Sequence, residues 1–89
     1  MPEQQVEIIN KLGLHARAAT KFANTANRYN SKIEVRFGEK RIDGKSIMAL
    51  MLLAAAKGSE ITLQTDGPDA DEALQALLNL INARFDEGE

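Results

Sequence analysis

The chain has 89 residues, 44% of them hydrophobic and none of them cysteine; that allows one small domain with its own core and excludes a disulfide framework, a zinc–thiolate site and a thiol nucleophile. Net charge is only -2, yet residues 1–57 hold ten Lys/Arg against five Asp/Glu while residues 58–89 hold one Arg against eight Asp/Glu. The basic part carries the only histidine and would steer a phosphate or an acidic partner, whereas its thin charge and the 4% aromatic content speak against nucleic acid. Met1-Pro2-Glu3-Gln4-Gln5 has no basic region followed by an apolar run, so no signal peptide is expected. The longest apolar run, Ile47 to Ala56, is about half of what a membrane span needs. A cytoplasmic domain spanning 1–89 is the expectation.

In chain order, Val6 and Ile8 alternate with Gln5 and Glu7, predicting a first strand. A loop, Asn10 to Leu14, contains Gly13, and Ala19, Phe22, Ala23 and Ala26 then recur at helical spacing from about Ala16 to Asn27. Ile33, Val35 and Phe37 alternate with Lys32, Glu34 and Arg36 in a one-sided strand, and Gly38-Glu39 turns into a short strand, Lys40 to Asp43. A second helix follows Ser46 and is expected to end at Lys57-Gly58. Ile61 and Leu63 mark a fourth strand, and Gly67-Pro68-Asp69 leads into a last helix with Leu74, Leu77, Leu78 and Ile81 as its buried stripe. One apolar and one polar face on every strand suits an α+β open-faced sandwich: a four-stranded antiparallel sheet with three helices on one face, in the order βαββαβα.

His15 stands where the glycine loop meets a helix. Unpaired N–H groups and the positive end of the helix dipole make that junction a phosphate site, and the same field favours a neutral, nucleophilic imidazole. Arg17 supplies a planar set of donors for phosphate oxygens. These features suit a histidine that accepts and passes on a phosphoryl group. Spacing alone favours a surface histidine that merely caps a helix, and no second histidine, cysteine or nearby carboxylate is seen to complete a triad or a metal site. Neither a metal nor a cofactor is expected.

Ser46 is a natural helix cap; as a phosphorylation site it would place a phosphate at a helix start and change the charge of a surface. In the helix after it, Leu50, Leu53 and Ala54 fall on one stripe, for the sheet, and Ile47, Met48 and Met51 on another. The second stripe is either core or an exposed, adaptable partner-binding patch.

Gly13-Leu14-His15-Ala16-Arg17, followed by Lys45-Ser46-Ile47-Met48 and then Lys57-Gly58, resembles the HPr family of the phosphoenolpyruvate-dependent phosphotransferase system over nearly the whole chain. The resemblance implies that His15 takes a phosphoryl group on Nδ1 from phosphorylated enzyme I and gives it to an enzyme IIA protein or domain. It implies that Arg17 steadies that group, and that Ser46 is the target of an HPr kinase/phosphorylase where one exists. Ala16, Ile47, Met48 and Met51 would form the partner surface of a monomeric shuttle, itself the phosphohistidine intermediate rather than an enzyme. Proline commonly follows the arginine in this family; here Ala18 does, giving up a fixed φ that would hold Arg17 extended. The ending Leu80-Ile81-Asn82-Ala83-Arg84-Phe85-Asp86 also resembles the nitrogen-related NPr branch. A regulatory adaptor acting through Ser46 and the second helix, and an unrelated small-molecule or RNA-binding domain, are the alternatives; a retained histidine argues against the former and the absence of a glycine-rich nucleotide fingerprint against the latter.

Overall fold

The computed structural model describes residues 2–87; Met1, Gly88 and Glu89, the ends of the expected 1–89 domain, lie outside the described residues. The elements are β1 (Glu3–Glu7), α1 (Ala16–Ala26), β2 (Lys32–Phe37), β3 (Lys40–Asp43), α2 (Ile47–Leu53), β4 (Glu60–Asp66) and α3 (Ala70–Asn82), followed by a 3₁₀ turn, Arg84–Asp86. The four strands form one antiparallel sheet in the order β1-β4-β2-β3. β4 therefore slots between β1 and β2, and the β1-α1-β2 connection steps over the place it fills.

Alternation along the strands decides which side is covered. In β2, Ile33 and Val35 are buried while Lys32 is exposed; in β4, Ile61, Leu63 and Thr65 are buried while Glu60 and Asp66 are exposed. Register places Val35 opposite Leu63 and Ile61 opposite Val6, so one face is a continuous apolar floor. The helices lay Phe22, Leu50, Leu53, Leu77 and Ile81 onto it, all buried. Each such side chain contributes roughly 1.5–3 kcal/mol of burial. Gly44 is a packing requirement: a Cβ there would meet Ile33 Cγ2 at 2.6 Å.

Three expectations change. α2 ends at Leu53, not at Lys57-Gly58, because Ala54 turns left-handed (φ 56, ψ 36) as its C-cap. That turn leaves Ala54 exposed and sends Ala55 back into the core, where its carbonyl accepts from Leu14 N–H at 2.9 Å. Tertiary contact with the histidine loop thus stops the helix before its propensity runs out. In α3 the fully buried positions are Ala70, Ala73, Leu77 and Ile81, while Leu74 and Leu78 pack half-buried at the margin of the core. α1 ends at Ala26, with Asn27 as its C-cap.

Candidate functional site

The histidine loop is held from below. Gly13 has φ +66, and a Cβ on it would lie 2.5 Å from Ala55 O, so only glycine allows the loop to lie this close to the chain leaving α2. Asn10, fully buried, donates one amide hydrogen to Gly13 O at 2.8 Å. Leu14 is buried, and the chain then reaches His15 in an extended conformation (φ -74, ψ -179), the N-cap of α1.

His15 caps its helix with its ring. The backbone N–H of Arg17 donates to Nδ1 at 3.3 Å, and Ala19 N–H bonds to His15 O at 2.8 Å. An acceptor at Nδ1 has its lone pair directed at the helix start, so the proton of the neutral ring sits on Nε2. Nε2 meets the carboxylate of Glu87, a residue 72 positions away. This overturns the expectation that no carboxylate stands near the histidine. The ring is 28% exposed and the Glu87 side chain 13%.

Glu87 is itself fixed. Its other oxygen accepts the second amide hydrogen of Asn10 at 3.0 Å. Burial works to raise this carboxyl, but the hydrogen bonds from Asn10 and His15, with the charges of His15 and Lys21, outweigh it and hold the group below its ordinary value of 4.5. Lys21 Nζ donates to Phe85 O at 2.7 Å, tying α1 to the 3₁₀ turn that carries Glu87. Lys11, His15, Arg17, Lys21, Asp86 and Glu87 border an open hollow of about 640 Å³, large enough for a phosphate-sized anion.

Arg17 borders the same hollow; its side chain is exposed, and its guanidinium has no hydrogen bond or ion pair among the described residues. Ala16 is exposed beside it, and Ala18 is fully buried in the first turn. Ser46 is half-buried and caps α2, accepting from Ala49 N–H at 3.1 Å. The second stripe of α2 is surface, not core: Ile47, Met48 and Met51 are 39, 67 and 42% exposed. Leu12 in the histidine loop and Leu52 on α2, at 66 and 72%, are also exposed and were not expected to be. Two tethers orient α2. Asn27 at the end of α1 donates to Lys45 O beside the start of α2 (3.1 Å), while Leu14 before α1 bonds to Ala55 after α2. The two helices run antiparallel, with the Met51–Leu52 end towards His15 and Ser46 towards the far end of α1.

The missed residues are Asn10, Lys21, Phe85 and Glu87. Glu87 reads as one more charge in an acidic tail, and no periodicity connects it to a loop at the other end of the chain. The buried aromatic Phe85, three residues past the end of α3, is the one signal that the tail folds back.

The chain is similar to known proteins over its whole length. Residues 2–83 match the family described as the HPr component phosphorylation site of the phosphotransferase system. Phosphocarrier protein HPr of Pseudomonas aeruginosa is 59% identical over 90 residues, and that of Neisseria meningitidis serogroup A 57% over 89, both covering all of each chain. The crystal structure of HPr-C-His from Thermoanaerobacter tengcongensis superposes with a TM-score of 0.95 at 42% identity, covering 98% of both chains. With this sheet order, and with the one histidine capping α1 beside an exposed arginine, the chain belongs to the HPr family, the phosphocarriers of the phosphotransferase system.

Proposed function

We propose that His15 is the carrier group: Nδ1 takes a phosphoryl group from phosphorylated enzyme I and passes it to an enzyme IIA protein or domain. The observation that carries this reading is the ring's position as N-cap of α1, with Nδ1 towards the Arg17 N–H. When phosphorus bonds to Nδ1, the N–H donors of the first turn and the Arg17 guanidinium become ligands for its oxygens. The transfer then needs little beyond position and charge. Ala16 and the exposed face of α2, with Ile47, Met48 and Met51, form the surface on which both partners dock in turn. The chain acts as a single cytoplasmic domain and a monomeric shuttle, and is itself the phosphohistidine intermediate.

Ser46 is the regulatory site in this reading, phosphorylated by an HPr kinase/phosphorylase. Its hydroxyl lies immediately before Ile47 and Met48, so a phosphate there adds about -2 charge to the rim of the docking surface.

Incubation with enzyme I and labelled phosphoenolpyruvate tests the carrier role. An acid-labile, base-stable phosphoprotein is expected, and His15→Ala abolishes it; label that survives the substitution would contradict the assignment. Incubation with HPr kinase and ATP is expected to give an acid-stable product lost in Ser46→Ala.

A further inference from the structure

We propose that Glu87 is a positioning residue for the reaction of His15: its carboxylate keeps the proton on Nε2 through both transfers. The inference rests on His15 being the carrier and adds the group that acts on the opposite edge of its ring.

Geometry comes first. One Glu87 oxygen meets Nε2 and the other is held by Asn10, whose remaining amide hydrogen holds the histidine loop through Gly13 O. The carboxylate therefore has little freedom, and it bonds the ring at Nε2, on the far side from Nδ1, which faces the Arg17 N–H. Asn10 Oδ1 is buried without a hydrogen bond among the described residues.

The backbone points the same way. Arg84, Phe85 and Asp86 have φ of 55, 54 and 62, three consecutive left-handed residues, none of them glycine. That conformation is disfavoured for residues that carry a Cβ. It curls the chain so that Phe85 is buried and Glu87 is delivered to the ring.

The chemistry follows from the electron count. The Nδ1 lone pair forms the bond to phosphorus as the donor's bond breaks, its electron pair leaving on the donor. With the proton still on Nε2, the ring is now an N-phosphoimidazolium, and its positive charge faces the Glu87 carboxylate. On transfer to the acceptor the Nδ1–P bond breaks and the pair returns to Nδ1, so the leaving group is a neutral imidazole rather than an imidazolate. No proton has to be exchanged with solvent. Lys11, Arg17 and Lys21 oppose the negative charge of the phosphoryl group, Asp86 and Glu87 on the same hollow. Among these, Glu87 alone meets the ring at Nε2.

The test uses the chain phosphorylated chemically with phosphoramidate, which requires no enzyme I, and follows the His15 nitrogens by ¹⁵N NMR through a pH titration. The Nε2 proton of the phosphorylated ring is expected to be lost at a pH lower by on the order of one unit in Glu87→Gln than in the native chain. Asp86→Asn removes the same charge one residue away without a bond to the ring and is expected to move that midpoint far less. Equal midpoints in the native chain and Glu87→Gln, or equal shifts in the two variants, would overturn the proposal. Failure of enzyme I to label the native chain would instead remove the donor assignment and leave this comparison standing.

Discussion

Two carboxylates from the acidic C-terminal third tie distant loops to the body of the molecule, and they do different things because their partners differ. Asp69, at the start of α3, accepts from Asn30 N–H (2.9 Å), Ser31 N–H (2.9 Å) and Ser31 Oγ (2.5 Å). Glu87 accepts from Asn10 and from the His15 ring. Both are held below their ordinary values, Asp69 chiefly by the Ser31 hydroxyl and then the Asn30 N–H, Glu87 by Asn10 and His15 against the opposing effect of burial. The Asp69 partners never titrate or react, so that latch contributes only stability. On the proposed reading one partner of Glu87, the His15 ring, gains charge when phosphorylated, and the same kind of contact becomes part of the chemistry.

The comparison breaks most readily at Phe85. Phe85→Ala removes a fully buried ring and is expected to cost about 3–5 kcal/mol, read as a lower urea midpoint. It also frees Glu87 from His15, so labelling by enzyme I slows in molecules that are still folded. If the folded fraction labels at the native rate, the turn is a structural anchor only.

Acid separates the latches next. Both carboxyls are depressed on folding, so their contribution is complete above 4.5 for Glu87 and 3.8 for Asp69 and is lost as pH falls below those values, through the lower folded ones. Asp69→Asn is expected to lower stability at neutral pH, to flatten its decline below pH 3.8, and to leave His15 labelling unchanged. Glu87→Gln is expected to flatten the decline below 4.5 and to slow labelling as well. Urea midpoints collected against pH, beside labelling rates at neutral pH, check both.

The smallest effect concerns Ala18. Its N–H belongs to the first turn, where a helix supplies no partner, and the ring before it is already held by Arg17 N–H on one edge and Glu87 on the other. Ala18→Pro is therefore expected to change the labelling rate by no more than a few-fold. A gain of about tenfold, worth about 1.4 kcal/mol of barrier, would mean that the native loop is held loosely.

What could be read from the sequence follows the range of the interactions. Alternation in Ile33-Glu34-Val35 and Ile61-Thr62-Leu63 is set by each strand's own pleat, and the sheet and its covered face were legible from it. The His15 and Ser46 caps are local as well. The end of α2 was misread because Ala54 answers to a contact between Ala55 and Leu14, on a separate loop. Glu87 was missed for the same reason on a larger scale: the contact closes 72 residues through a left-handed turn that no residue type in Arg84-Phe85-Asp86 announces. The histidine cap was legible and the carboxylate behind it was not.

On the proposed reading phosphorus bonds to Nδ1 of His15. With histidine labelled by ¹⁵N and the chain phosphorylated by enzyme I and phosphoenolpyruvate, a ³¹P–¹⁵N correlation spectrum reads that bond directly. One coupling is expected, to Nδ1, with Nε2 carrying a proton at neutral pH; coupling to Nε2, or phosphorus on Ser46 in its place, would rule that bond out.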